Sequence, residues 1–443
     1  MAGIISRFEH NRYFPLTVWM LRILVGGVFI ISGLAKAIDI WGFVFKIEEY
    51  LSVWHMMQPR SLVLMGAILL SGYEFVFGLL LLLGCYKRVA VWALTATMAV
   101  MLPLSLYLAV ANPVTDCGCF GDFWVISNTL TFVKNLIITA ALIALLWLNP
   151  RLHQGLFQPA IQWIVGAIIS LYIVIVALYG YNIQPMIDFR PYPIGARLLP
   201  PDTDAAEDAD IDDSDIIFTY SKDGREEQFT LDNLPDSTWT FVSRTEPAQK
   251  TTSGSVFTVY DRDGNDVTSE AISDEGRELL LVIPEPRLID ISYTYFLNEL
   301  KQWADSSDVR MVCLIADDRR AMDFLQDVSM ATYDIYGVED TKLKELVRGT
   351  MSLIELDNGV VRAKYSLSSI DSPILVDGPK GADLTSRMAP HPQKWFNLLT
   401  GGLAALLLFI FLFQSLILTI NSRIRAYYQK KHVTLHPENP TDN

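Results

Sequence analysis

The chain has 443 residues, 51% of them hydrophobic, with a mean hydropathy of +0.29. Its apolar residues are bunched into runs of about 18 or more, the length that spans a bilayer, which excludes an ordinary soluble globule. The formal net charge is −14, and the acid excess lies in one long segment, whose acidity argues against nucleic acid and anionic lipid as its electrostatic partners.

Six apolar runs are legible, at 17–35, 62–84, 89–111, 129–148, 160–180 and 395–420. The first starts near the N-terminus, but it is long, holds Arg22 and lacks a small-residue cleavage site, so a retained span is expected. Arg7, Arg12, Lys87, Arg88, Arg151, Arg423, Arg425, Lys430 and Lys431 fall on one side of a six-span topology. Short-loop basic residues mark the cytoplasmic side. Both termini are therefore expected in the cytoplasm of a bacterial inner membrane. The opposite short loops carry Lys36, Lys46 and Arg60, and the loop 112–128 carries no basic residue. That loop and the long segment 181–394 are expected to be periplasmic.

The long segment is electrically distinct, with 39 acidic and 19 basic residues between 201 and 394. Its start, 200–215, is a polar acidic run that reads as a linker. The run does not follow the spacing of an EF-hand loop. Alternating stretches then predict strands at 216–221 and 228–231, joined across Asp223-Gly224, and further strands at 238–243 and 255–260. From 278 the pattern changes. Strands are predicted at 279–283, 309–316, 352–355 and 360–365, and helices at 292–304, 319–325 and 341–347. Phe296, Leu297, Leu300 and Trp303 form the apolar face of the first helix. This order implies a mixed sheet with helices packed on it.

The chemistry-bearing feature is Asp116-Cys117-Gly118-Cys119-Phe120-Gly121-Asp122, between the third and fourth spans. Cysteines one residue apart close a very small ring, so the backbone must turn, and Gly118 permits the turn. A disulfide there would be strained and easily exchanged. A static local staple, or two buried inert thiols, are the competing readings. No histidine neighbours the pair, so no metal site is expected. Asp116 and Asp122 would raise the thiol pKa values, while Lys36 or Lys134 would counter them. Cys85 stands alone at the other end of the spans, and Cys313 lies in an apolar strand and reads as a buried hydrophobe.

Ionisable residues inside spans are expensive and mark function by default. Arg22 lies in the first span, Lys36 ends it, Glu74 is central in the second, and Lys134 with Asn135 lies early in the fourth. If the first four spans bundle, Glu74 meets Lys36 or Lys134. Such a pair serves either helix register or a proton relay and quinone head-group contact.

Arg22, Ser32-Gly33 with Lys36, Glu74 and Gly78, the run Cys117 to Gly121, and Lys134-Asn135 together resemble the DoxX/MauE family of four-helix membrane proteins, over about 14–148. The resemblance implies a link to quinone-dependent oxidation on the DoxX side. On the MauE side it implies maturation of a disulfide-rich dehydrogenase subunit. It also implies that Glu74, Lys36, Lys134, Arg22 and Asn135 surround a cofactor, a quinone. The run Val347 to Leu353 entering the last hairpin resembles a thioredoxin-like fold over about 278–368. This sequence departs from that family: Pro284-Glu285-Pro286-Arg287 stands where the redox cysteines belong, and Met351 where a cis-proline belongs.

The fold class expected is an α-helical membrane four-helix bundle with further transmembrane helices, plus a soluble α/β thioredoxin-like domain with a β-rich extension. The boundaries are 1–148 for the bundle, 149–184 for a fifth span and 185–215 for the linker. They continue with 216–277 for the β-rich segment, 278–394 for the thioredoxin-like domain and 395–443 for the last span and basic tail. The function expected is a membrane thiol–disulfide redox or maturation factor. Its catalytic residues would be Cys117 and Cys119, with an extracytoplasmic protein client. The alternative is a non-catalytic membrane scaffold whose thioredoxin-like domain binds partners.

Overall fold

The computed structural model describes residues 14–56, 58–112, 114, 117–148, 155–199, 217–222, 225–230, 240–245, 257–370 and 392–435. The acidic run 200–215, Asp223-Gly224, Asp116, Arg7, Arg12, Arg151 and the side chains of Lys430 and Lys431 lie outside the described residues. Two compact units emerge. One comprises 1–190, 347–352 and 365–443; the other comprises 191–346 and 353–364.

The first unit is helical. In chain order it holds α1 (Phe14–Ile38), α2 (Ile40–Val53), α3 (Arg60–Leu83), α4 (Lys87–Ala111), α5 (Asn128–Leu148), α6 (Gln162–Asn182) and a C-terminal helix, Pro392–Leu435. All but α2 are long and apolar enough to cross a membrane, which gives six candidate spans among the described residues. The chain is a membrane protein on that ground.

Lipid tails provide no hydrophobic drive between helices, so small residues that let backbones approach decide which helices pair. Gly33 makes this plain on α1. A Cβ there would lie 2.5 Å from Phe75 N and 2.6 Å from Ser71 O on α3. The close approach brings the last turn of α1 against the middle of α3, where Ser71, Glu74 and Phe75 are buried.

The helix α2 departs from the sequence reading, which left the connection between the first two spans as a loop. Asp39 caps it, accepting a hydrogen bond from Gly42 N–H at 3.0 Å. Ile40, Trp41, Phe43 and Val44 bury its first turns. Trp41 stacks on Tyr181 with ring centroids 5.0 Å apart, and its Nε1–H donates to the Tyr181 carbonyl at 2.9 Å. The loop between α4 and α5 is tied at its base. Asn128 Nδ2 donates to Asn112 Oδ1 and to the Val114 carbonyl, each at 2.8 Å. A short 3-10 turn, Gly121–Phe123, sits within that loop.

The second unit carries two sheets. Strands β1 (Ile217–Lys222), β2 (Arg225–Thr230) and β3 (Thr240–Thr245) form an antiparallel sheet in the order β2-β1-β3. After them come β4 (Val259–Tyr260), α7 (Thr268–Ala271), β5 (Arg277–Ile283), α8 (Thr294–Ser306), β6 (Arg310–Ala316) and α9 (Arg319–Ser329). The chain then forms β7 (Asp334–Val338), α10 (Asp340–Leu346), β8 (Ser352–Asp357) and β9 (Val360–Ser366). These strands make a six-stranded mixed sheet in the order β4-β7-β6-β5-β8-β9. Strands β5, β6 and β7 are parallel, and β4 runs antiparallel to β7. Leu279 to Ile283 and Met311 to Ile315 are buried throughout, the near-continuous apolar pattern of strands covered on both faces. Phe296, Leu297, Leu300 and Ala304 of α8 are buried, while Trp303 is half-buried.

Two expectations need correction here. Strand β7 is absent from the sequence reading, because its five residues begin on an aspartate and alternate only weakly. The segment 185–199 is not a solvated linker. Met186, Arg190 and Leu198 are buried, and the Gly195 and Leu198 amides donate to the carbonyls of Val361 and Gly359 at 2.7 and 2.9 Å.

Candidate functional site

The site lies wholly in the helical unit, at the end of the spans that carries the cysteine loop. Gly118 adopts φ +63, and a Cβ there would meet Lys46 Cγ at 2.6 Å. The turn brings the Cys117 and Cys119 sulfurs to 2.7 Å from each other. Both are free, half-buried thiols. Their backbone is held from two helices: Tyr50 OH of α2 donates to the Cys117 carbonyl at 2.9 Å, and Ser32 Oγ of α1 lies 2.7 Å from the Cys119 carbonyl.

Ser32 Oγ is also 2.7 Å from Glu74 Oε2, so its single proton serves one of two acceptors at a time. Lys36 Nζ donates to both Glu74 oxygens at 2.8 Å. Of the two lysines flagged as partners for Glu74, it is Lys36 that closes the ion pair, and both members are buried. Lys134 Nζ instead sits 4.5 Å over the Phe120 ring, and Lys36 Nζ lies 5.1 Å over Phe43.

Beneath the loop is a cavity of about 170 Å³. Its walls include Ser32, Lys36, Glu74, Cys117, Cys119 and Lys134, with an apolar floor of Phe29, Leu70, Met98, Met101 and Ile138. Asn135 is also on the wall. It is 2% exposed, and its Nδ2 has no hydrogen-bond partner among the described residues. Arg22 does not join this group. It is fully buried elsewhere on α1, with its guanidinium 5.1 Å over the Trp19 ring.

The thiols differ in acidity. The contact from Cys117 holds Cys119 down, to about 6; burial opposes this, and Lys134 and Lys36 reinforce it. The same contact raises Cys117, and burial adds to the rise. The arrangement sets the two cysteine sulfurs beside one small cavity that Lys36, Glu74 and Lys134 also line.

A second charge cluster borders the loop, and the sequence reading missed it. Arg348, in the segment 347–352 of the same unit, is buried. Its Nε donates to Asp39 Oδ1 at 2.8 Å and its Nη2 to Asp39 Oδ2 at 2.7 Å, and Nη2 also reaches Asp122 Oδ2. Burial works against the Asp39 charge, but Arg348 overcomes it and holds the carboxyl down at about 2. Burial likewise opposes the Arg348 charge, and Asp39 outweighs it. No local pattern marks this cluster, since its members are 309 and 226 residues apart in sequence. Ser32 had a signal: it lies one turn before Lys36 in an apolar run. Among the described residues no group of His, Cys, Asp and Glu could hold a metal ion.

The family model described as methylamine utilisation protein MauE matches residues 15–148, which contain α1 to α5 and the cysteine loop. A domain of unknown function, DUF8463, matches residues 214–249, which contain β1 to β3. No curated protein and no solved structure matches the chain.

Proposed function

We propose that the protein is an integral-membrane thiol–disulfide redox or protein-maturation factor whose working pair is Cys117 and Cys119. The observation that carries this reading is the facing of the two sulfurs, 2.7 Å apart, at the mouth of a cavity walled by Lys36, Glu74 and Lys134. In the oxidised form, a client thiolate attacks one sulfur of the Cys117–Cys119 disulfide, and a mixed disulfide forms. The client's second thiolate then displaces the cysteine, so the client is oxidised by two electrons and the Cys117–Cys119 pair is reduced to the dithiol. The match of 15–148 to a family named for methylamine utilisation supports an accessory or maturation role. Nothing in the chain specifies methylamine.

The cavity also suits a quinone head group. Its floor is apolar, and the Asn135 amide N–H, without a partner among the described residues, is a donor for a carbonyl oxygen. A quinone, when bound, supplies the acceptor for the two electrons and two protons released as the dithiol is reoxidised. Glu74, hydrogen-bonded to Ser32 and Lys36, is placed to hold such a proton. The distribution of basic residues supports a bacterial inner membrane with both termini inside and the cysteine loop and second unit in the periplasm. We read the mixed sheet of that unit as thioredoxin-like, since β6-β5-β8-β9 with α8 between β5 and β6 follows that topology. It carries no cysteine at 284–287, so it docks a client without performing exchange.

The test is replacement of both Cys117 and Cys119 by Ser in the full-length protein, with the disulfide state of exported proteins followed by differential alkylation and mass spectrometry. Accumulation of reduced client is expected. Unchanged client oxidation, together with a stable co-purifying complex, would establish the scaffold reading instead. The full burial of Cys313 favours that alternative for the second unit by itself.

A further inference from the structure

The cysteine loop is held at three points. Two are Tyr50 on Cys117 and Ser32 on Cys119, both within the span that resembles the MauE family. The third is Arg348 on Asp122, three residues beyond Cys119. Arg348 lies outside both family matches, yet it belongs to the same compact unit as the loop.

We propose that Arg348 is a positioning residue for the thiol pair, so that a segment far outside the family-like bundle completes the cysteine site. The inference rests on the redox reading of Cys117 and Cys119 and adds a residue to it. The guanidinium is fixed from both ends. At the backbone, Gln184 Nε2 donates to the Arg348 carbonyl at 2.8 Å, and Arg348 N donates to Gln184 Oε1 at 3.3 Å. At the side chain, Nε and Nη2 grip Asp39 in the planar fork that only arginine offers. The same Nη2 then reaches Asp122.

The two carboxylates are the ends of two supports. Asp39 caps α2, the helix that carries Tyr50, and follows Lys36 by three residues. Asp122 is the central residue of the 3-10 turn Gly121–Phe123 that follows the cysteines. One guanidinium therefore sets the loop against α2. Asp188 and Arg190 complete the charged surroundings: Arg190 Nε donates to Asp188 Oδ1 at 2.7 Å, and Arg190 acts on both Asp39 and Asp122. Without Arg348, Asp39 and Asp122 repel each other, the loop shifts, and the sulfurs separate. Cys119 then loses the contact that holds its thiol acidic.

The experiment measures the pH dependence of Cys119 alkylation by iodoacetamide in the full-length protein in native membranes, with mass spectrometry assigning the modified cysteine. The wild type is expected to show a midpoint near 6. Arg348→Gln and Asp122→Asn are each expected to raise it by roughly one unit or more, toward the ordinary thiol value of about 8.5. The double variant is expected to go no further than either single one. Asp122 is a half-exposed partner, so Asp122→Asn leaves the buried Asp39–Arg348 pair intact and decides the matter even if Arg348→Gln fails to fold. A wild-type midpoint in Asp122→Asn, or additive shifts in the double variant, would overturn the proposal. No client is needed in this assay. Failure of the redox reading would appear as unchanged client oxidation, and failure of the positioning role as an unchanged alkylation profile.

Discussion

Lys36 and Glu74 are the residues whose role is most open to a decisive substitution. Each is nearly inaccessible, and each oxygen of Glu74 lies 2.8 Å from Lys36 Nζ. Removing one partner of a buried ion pair strands the other charge and costs about 3–5 kcal/mol, whereas replacing both by apolar groups is often neutral. Glu74→Gln is therefore expected to lower thermal stability in detergent by an amount of that order. Lys36→Met with Glu74→Leu is expected to recover most of the loss. If the recovered double variant still oxidises clients at the wild-type rate, the pair serves helix register alone; loss of oxidation with stability restored is the outcome expected if Lys36 and Glu74 also serve the thiol site. This pair was legible in the sequence because an acid in the middle of an apolar run has few affordable states. The choice of Lys36 over Lys134 was not legible, since it depends on how closely α1 and α3 approach.

At the scale of elements, that approach is set by Gly33, and the neighbouring helix supplies its own control. A side chain at Gly33 collides with the α3 backbone, whereas a Cβ at Gly66 of α3 meets nothing within 4 Å. Gly33→Val is expected to destabilise the helical unit by about 1–3 kcal/mol and to loosen the Lys36–Glu74 contact. Gly66→Ala is expected to be neutral or stabilising by up to about 1 kcal/mol. Equal melting temperatures for the two variants would count against glycine-mediated packing of α1 on α3. In the second unit, burial pushes the carboxyl of Glu278 on β5 up to about 7, against the Ser273 amide and Arg310. The unfolded value is about 4.3. Between those values the folded protein retains a proton that the unfolded chain has released, so stability falls as pH rises through that window and levels off above it. Glu278→Gln should flatten this slope in hydrogen exchange of β5 amides at pH 5 and pH 7. A slope unchanged in the variant would assign it to another group. The long spans and the buried strands β5 and β6 were legible from run length alone. Helix α2 was not, because 14 residues mixing Lys46, Glu48 and Glu49 with aromatics resemble a polar connection until the Asp39 cap and Trp41 contacts are seen.

For the whole molecule, the number of spans decides which segments share a side of the membrane. The cysteine loop follows three candidate spans, and the segment between α6 and the C-terminal helix follows five. Both counts are odd, so a topology in which all six helices cross predicts loop and segment on the same side, whatever the orientation of the chain. Lys87 and Arg88 follow two candidate spans and are predicted on the other side. Read locally, the sequence revealed the two thiols but not Arg348, because Arg348 meets the loop across more than 200 residues of chain and no short-range pattern records that contact. Sidedness is testable directly. In sealed, oriented vesicles, a membrane-impermeant maleimide should label Cys117 or Cys119 only from the side on which added protease cleaves within 191–346. A cysteine introduced at Lys87 should label only from the opposite side. Labelling of the loop and cleavage of the segment from opposite sides would mean that one of the six helices does not cross, and it would separate the second unit from the thiol pair it is proposed to serve.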